Sequence, residues 1–284
     1  MDYYIVIPAH NEETYLRDTL NSLLRQTLQP KKVIIVNDNS TDDTEAIIDT
    51  FLNLSVIFRK VNTRSSEEHM PGSKVINAFN EGLKLLDDSY DFLVKLDADV
   101  ILPDSYFEKI GHVFKGRPQI GIAGGYVYEK DSDGDWKLNH PMNKNHVRGA
   151  FKAYSKKCFH AIGGLKNAMG WDTVDELLAN YHGYQISTDD SLKVKHLRPT
   201  GKAYDSKARL LQGRAMYTMR YGFWITVIAS LKMAWKQKKK NAFLDNMYGF
   251  LEAQKDKVPY LVTEAEGRFI RRLRWQGINK QFIP

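Results

Sequence analysis

Apolar and polar positions follow two alternating periods over the first 130 residues. Short apolar runs at Tyr3–Pro8, Lys32–Val36, Val56–Val61 and Phe92–Leu96 are rich in β-branched and aromatic side chains and predict buried strands. Between them the apolar positions recur every three or four residues. Leu16, Leu20, Leu23 and Leu24 form one stripe over Glu12–Gln26, and Ile47, Ile48 and Phe51 form another over Asp43–Leu52. Val75, Phe79, Leu83 and Leu86 do the same over Lys74–Leu86. A fourth helix is expected from Pro103, as its first residue, to Lys115, then a strand over Ile120–Glu129 and a turn over Asp131–Asp135. Strands and helices alternating in this way predict an α/β fold, a mostly parallel sheet covered on both faces. Ligands of such sheets bind beyond the carboxyl ends of the strands. The polar clusters fall there: Ala9-His10-Asn11-Glu12, Asn37-Asp38-Asn39-Ser40 and Asp97-Ala98-Asp99.

Beyond residue 136 the pattern loosens. A strand is expected over His146–Tyr154, a helix over Asp172–His182 with Asp172 as its N-cap and Gly183 as its stop, and a strand over Lys193–Leu197. One helical pattern covers Gln212–Trp235, with Trp224, Val227, Ile228, Leu231 and Trp235 on one face, and another covers Glu264–Trp275. No repeat or low-complexity linker interrupts the chain. The expectation is therefore a catalytic unit over residues 1–205, its halves meeting near residue 100, followed by a helical extension over 206–284.

Composition narrows the partners. With 43% hydrophobic and 26% charged residues among 284, the chain is of globular type and not disordered. Residues 201–284 hold 17 Lys/Arg and 6 Asp/Glu, a balance of +11, against −4 for the first 200 residues. A basic tail on a nearly neutral body meets anionic partners or simply a solvated surface. The apolar face before Lys236–Lys240 therefore has two readings. It packs on the body, or it forms a peripheral membrane contact with its lysines on anionic headgroups. Tyr221–Trp235 is shorter than the roughly 20 apolar residues that span a bilayer. No basic leader precedes Tyr3–Pro8, so the expected location is the cytoplasm, with a peripheral position at the inner membrane face as the second reading. Cys158 is the single cysteine, which excludes an intrachain disulfide and a cysteine-based zinc site.

Two carboxylates at the end of an apolar strand are hard oxygen ligands, suited to Mg²⁺ or Mn²⁺. Asp97 and Asp99 so placed could hold a metal that neutralises a departing diphosphate. Asp38 ends its strand where it could accept a hydrogen bond from a base N–H, while Ser40 or Thr41 could cap the next helix.

Taken in order, Pro8-Ala9-His10-Asn11-Glu12, Val36-Asn37-Asp38-Asn39-Ser40-Thr41-Asp42, Asn80-Glu81-Gly82 and Leu96-Asp97-Ala98-Asp99 resemble the family 2 glycosyltransferases over about residues 3–200. The resemblance implies the GT-A fold, a nucleotide-sugar donor, most often a UDP-sugar, and transfer that inverts the anomeric centre. It implies Pro8, Ala9, His10, Glu12 and Asp38 around the nucleotide, with Asp38 reading the base. Asp97 and Ala98 would lie by the ribose and diphosphate, and Asp99 would be the principal metal ligand. Lys74 stands in for the basic residue that the family carries ahead of Asn-x-Gly, where this chain has Phe79.

Inversion also needs a base for the acceptor hydroxyl. Asp172, Asp175 and Glu176 are the candidates. Asp172 comes first, because the family's acidic pair stands about eleven residues before a glycine, here Gly183. Trp171 then occupies the place of the usual glutamate. His196 is either structural or the completion of the metal site, and Arg198 is a phosphate contact or a surface charge. Gly124-Gly125-Tyr126 and Arg148-Gly149-Ala150-Phe151 are expected along the cleft. His10, His69, His140, His146 and His160 have no zinc spacing.

The acceptor is a glycan or a lipid-linked sugar, with a bacterial surface polysaccharide as the product the family suggests. One alternative is transfer to a polyprenyl phosphate, which needs no base. Another is a nucleotidyltransferase, disfavoured by the lack of a basic glycine-rich loop after the first strand. A nucleic-acid partner is not expected, since no stacking aromatics lie on a basic sheet face.

Overall fold

The four apolar runs of the N-terminal half assemble as one parallel block. β1 (Tyr3–Ala9) pairs with β2 (Lys32–Asp38) on one side and β4 (Phe92–Leu96) on the other, and β3 (Phe58–Thr63) adds beyond β2. The computed structural model describes residues 1–64, 73–139, 146–198 and 206–282. The expected domain limit at 205/206, His69 and His140 lie at or beyond the edge of those residues.

Buried on both faces, β1, β2 and β4 read as continuous apolar runs. The leucines of α1 (Leu16–Leu24) and Ile47, Ile48 and Phe51 of α2 (Thr44–Leu54) enter the core as their spacing predicts. In α3 (Ser73–Leu83) Phe79 does so as well, but the other fully buried apolar side chain is Ile76, while Val75, Leu83 and Leu86 are only partly buried. Some ends differ. α2 begins at Thr44, whose amide is held by Asp42 Oδ1 at 3.0 Å, so neither Ser40 nor Thr41 caps it. α4 (Tyr106–Gly116) starts after Ser105, with Pro103 in the preceding turn.

Beyond β4 the sheet becomes mixed. β8 (Phe151–Ser155) runs antiparallel to β4 and to β6 (Ile120–Lys130), and β9 (Gln185–His196) runs parallel to β6. The two-residue β5 (Val100–Ile101) closes the edge against β9, and β7 (Trp136–Leu138) pairs with β6. The order is β3-β2-β1-β4-β8-β6-β9-β5. Residues 146–150, expected as strand, instead form the irregular approach to β8. Gly124 and Gly125 serve packing: an added Cβ would strike Val147 at 2.3 Å and the Leu192 carbonyl at 2.2 Å respectively.

Two helices lie between β8 and β9: α5 (Lys156–Ala161) and α6 (Trp171–Tyr181). The N-cap of α6 is Gly170 at φ 78°, not Asp172, which lies within the first turn.

The single helix expected over 212–235 is two. α7 (Ser206–Thr218) stops before Arg220 and Gly222, both at positive φ, and α8 (Phe223–Gln237) starts after them. Then come α9 (Asn241–Lys255), absent from the sequence reading, and α10 (Glu264–Phe282). The face of α8 is also reversed. Trp224, Leu231 and Trp235 are 68%, 53% and 83% exposed, and the helix buries Ile225, Thr226 and Ser230 instead. Among the described residues no helix is long and apolar enough to cross a membrane.

Candidate active site

β4 ends at Leu96 and β5 begins at Val100, so Asp97 and Asp99 sit on the turn between them. Val100 pairs directly with His196, and the Leu197 amide donates to the Asp99 carbonyl at 2.8 Å. That register brings a histidine 97 positions away onto the turn. Ligand atoms of Asp97, Asp99 and His196 lie within 4.8 Å of one another. His196 Nε2 is 3.5 Å from Asp99 Oδ1, and its Nδ1 is 3.6 Å from Glu129 Oε1 at the end of β6.

The trio carries an excess of negative charge. Burial pushes the Asp99 carboxyl up, and so does the Asp97 charge, against His196, Arg198 and Lys95. Asp99 Oδ1 and His196 Nδ1 are both buried without a hydrogen-bond partner. Orphaned buried acceptors are rare unless an ion or water belongs there. Two carboxylates and an imidazole form a donor set that fits a divalent cation, Mn²⁺ or Mg²⁺.

The donor-side loops clasp one another. Asn11, at φ 53°, accepts the Thr41 amide on its side chain at 2.8 Å, and its own amide donates to Ser40 Oγ at 3.1 Å. The Glu12 amide donates to Thr44 Oγ1 at 2.7 Å. Ser40, Thr41 and Thr44 thus tie the β2 loop to the β1 loop. Pro8 and Ala9 end β1, and His10 Nδ1 donates to the Asp38 carbonyl at 2.6 Å. Asp38 is buried and accepts from Thr63 Oγ1 at 3.2 Å. Arg198 joins this wall to the carboxylate trio. It donates to Glu12 at 2.6 Å, lies 3.8 Å from Asp99 and stacks over Tyr15. Burial pushes the Glu12 carboxyl up to about 7; Arg198 opposes this, and the Asp99, Asp97 and Asp42 charges add to it. Ala98 faces away, its carbonyl taken by Thr19 Oγ1 at 2.8 Å. Lys74 stands half-buried in the first turn of α3, where Val75, not Lys74, reaches the cleft.

A cleft of about 360 Å³ connects the trio to α6, a size suited to small-molecule sites. Asp97, His196, Trp171 and Asp172 all line it, together with Arg148, Gly149 and Ala150. Gly149 is required there: an added Cβ would lie 2.7 Å from the Trp171 ring and 3.2 Å from Asp172 Cβ. Among the described residues the Asp172 carboxylate has no hydrogen-bond partner.

Asp175 and Glu176 do not reach the cleft. Both are buried behind it on Lys152, itself wholly buried. Lys152 Nζ meets Asp175 at 2.9 Å and Glu176 at 3.0 Å, and donates to the Asp172 carbonyl. Tyr154 OH also donates to Asp175, while His146 and the Val147 amide each hold Glu176 at 2.9 Å. Burial works against the Lys152 charge, but Asp175, Glu176 and Asp172 outweigh it and hold its proton more tightly than usual. Burial likewise opposes the Glu176 charge, and Lys152 and His146 overcome it.

Sequence reasoning missed the two lysines. Lys95 and Lys152 are direct partners across β4 and β8, and both lie near the Trp171 ring, at 5.1 and 6.0 Å. Lys95 pairs with Asp97. Like charges opposite one another destabilise a sheet unless compensated, and here each lysine has its own acid. The available signal was one lysine inside each apolar run, Phe92–Leu96 and Phe151–Ser155.

Known proteins were compared with this chain. A poly-beta-1,6-N-acetyl-D-glucosamine synthase of Staphylococcus epidermidis is 31% identical over 123 residues, 42% of this chain and 27% of that protein. An uncharacterized glycosyltransferase of Haemophilus influenzae is 27% identical over 43% of this chain and 36% of its own length. The matches thus span about a third or less of these relatives. Among solved structures, S. aureus TarS 1–349 in complex with UDP-GlcNAc superposes with a TM-score of 0.60 at 17% identity, covering 91% of this chain and 84% of that one. The mannosyltransferase PcManGT from Pyrobaculum calidifontis, in complex with GDP-Man and Mn²⁺, gives 0.55 at 14% identity, covering 97% and 80%. These likenesses establish the GT-A fold. The family model for glycosyl transferase family 2 matches residues 4–170, the parallel block together with the carboxylate turn and the cleft wall up to α6, and the chain belongs to that family.

Proposed function

We propose that the chain transfers a sugar from a nucleotide-sugar to a hydroxyl of a glycan or lipid-linked acceptor, with inversion at the anomeric carbon. The observation that carries this reading is one cleft lined both by Asp97 and His196 of the candidate metal trio and by Asp172. A UDP-sugar is the favoured donor, supported by a relative named for N-acetylglucosamine polymer synthesis and a neighbour holding UDP-GlcNAc. A surface polysaccharide is the corresponding product class.

Asp97, Asp99 and His196 would hold the Mn²⁺ or Mg²⁺, which supplies positive charge to the diphosphate as it leaves. Asp38, at the floor of the clasped loops, accepts from the nucleotide base, with Pro8, Ala9 and His10 bordering it and Lys74 contributing charge from α3. Arg198 bridges Glu12 and Asp99 and is placed to meet phosphate oxygens. Lys95 fixes Asp97.

Asp172 takes the proton of the attacking hydroxyl. It faces the cleft, while its backbone carbonyl is held by Lys152. Asp175 and Glu176 act through Lys152 as positioning residues, since neither touches the cleft. In this reading residues 1–205 are the catalytic unit and 206–284 an extension that buttresses α6.

The test is Asp172→Asn assayed with UDP-sugars and a glycan acceptor. Transfer should fall by about 10²–10⁴ while UDP affinity stays at the wild-type value. Undiminished transfer would remove Asp172 as the base and point to a nucleophile that needs none, such as a polyprenyl phosphate.

A further inference from the structure

The C-terminal helices are built with apolar side chains outward. On α8 the stripe Trp224, Ile228, Leu231, Trp235 follows i, i+4, i+7, i+11, and three of its four members are exposed. On α9 Leu244, Tyr248 and Leu251 form a second exposed stripe at i, i+4, i+7. The contacts between helices combine large side chains, such as the Tyr217–Phe250 pair, with small or polar residues. Ser230 and Asn246 are fully buried, each with a side-chain oxygen that finds no partner. α7 and α9 meet at Gly213 and Gly249, where an added Cβ would lie 1.9 Å from the Asn246 carbonyl and 2.0 Å from the Leu210 carbonyl. Large apolar residues turned outward on neighbouring helices, over an interior closed in part by glycine, serine and asparagine, suit surroundings of lipid.

We propose that α8, with the adjoining stripe of α9, docks on an anionic lipid bilayer. The charge pattern selects this occupant. α8 carries no acidic residue, and four of the five residues at 236–240 are lysines, all exposed, directly after Trp235. Tryptophans stand near both ends of the helix, as they do at a membrane–water interface, and the lysines extend to headgroup phosphates. A second copy of this chain bound through the same patch would bring that lysine cluster against its own image. At 15 residues, α8 is about 22 Å long and lies in the interface rather than across the bilayer.

Beside the stripe runs an apolar groove of about 820 Å³ between α7, α8 and α10, lined by Met216, Ile225, Leu231, Trp235, Leu273 and Ile278. Gly170 and Thr173 also line it. The two residues between them, Trp171 and Asp172, line the catalytic cleft. A bilayer on α8 therefore lies beside the α6 wall of the cleft. The docking surface itself does not depend on what the cleft transfers.

The test uses the full chain and vesicles of phosphatidylcholine, alone or mixed with phosphatidylglycerol, in a sedimentation assay. Wild type should bind the mixed vesicles at least about tenfold more tightly than the neutral ones, and raised salt should release it. Trp224→Ser with Trp235→Ser should weaken binding by about tenfold or more, and Lys238→Glu/Lys239→Glu/Lys240→Glu by about a hundredfold. All five side chains are exposed, so both variants should keep the wild-type melting curve and UDP affinity. Failure to bind mixed vesicles at low salt would overturn the proposal. So would binding that the tryptophan variant leaves unchanged. A wild-type dimer in light scattering that the tryptophan variant abolishes would also overturn it, assigning the face to a second copy.

Discussion

In α1, Leu16, Leu20 and Leu23 are fully buried in the core, whereas in α8 Trp224, Leu231 and Trp235, at similar spacing, face away from the protein. The two helices carry the same kind of amphipathic signal. What differs is what lies beside them. α1 packs its leucines against β5, α2 and the apolar core of the sheet half. α8 meets α7, α9 and α10 through Ile225, Thr226 and Ser230, and leaves its widest apolar stripe uncovered. Periodicity reports that a helix has two unlike faces; the neighbours decide which face turns inward.

The contrast can be broken most forcefully in the sheet half. Phe92 is fully buried and stacks on Tyr3 at 4.7 Å. Phe92→Ala should cost about 3–5 kcal/mol in urea denaturation. Lys152→Met should cost a similar amount, about 3–5 kcal/mol, because Asp175 and Glu176 would be left buried without their cation. A near-neutral result for Lys152→Met would mean that the pair of acids is not held as a charged cluster.

A smaller loss is expected where the C-terminal helices touch. Gly249→Ala forces apart two backbones that approach through that glycine, and about 1–3 kcal/mol should be lost. A pH effect comes next. The Glu12 carboxyl, pushed up to about 7 by burial, binds its proton more tightly folded than unfolded. Its contribution to stability in the metal-free protein is therefore full below about pH 4.5 and falls as pH rises toward 7. Thermal melts should show this slope in wild type and a flatter one in Glu12→Gln. The smallest effect belongs to Trp235→Ser: despite the size of the residue lost, stability should change by no more than about 0.5 kcal/mol. A loss like that of Phe92→Ala would show that the outer face of α8 is covered in solution.

Much of the parallel block was legible in the sequence, because a sheet buried on both faces must be written in continuous apolar runs. The carboxylate turn was legible for the same reason: Asp97 and Asp99 interrupt an apolar strand at its carboxyl end. The convergence of His196 was only half legible. It depends on the β5–β9 register, in which Val100 meets His196 by a pairing that no local pattern encodes. The start of β9 was invisible, since Gln185–Asp190 is polar and bulged against β6. α9 was missed because small or polar residues, Ala242, Asn246 and Gly249, share its buried face with Met247 and Phe250 while Leu244, Tyr248 and Leu251 lie outside, which blurs its apolar stripe. The Lys95–Lys152 pair was missed because a lone lysine in a strand reads as an edge or surface position until its cross-strand partner is known.

The central claim is that the turn at Asp97 and Asp99, completed by His196, makes a metal-dependent nucleotide site. Calorimetric titration of wild type and Asp99→Asn with UDP, GDP and dTDP, each with Mn²⁺ and with EDTA, tests it most directly. The account predicts that one nucleotide, UDP first, binds wild type only when Mn²⁺ is present, and that Asp99→Asn loses this binding while keeping its melting curve. Binding that is equal in EDTA and in Mn²⁺, or absent for all three nucleotides, would contradict it.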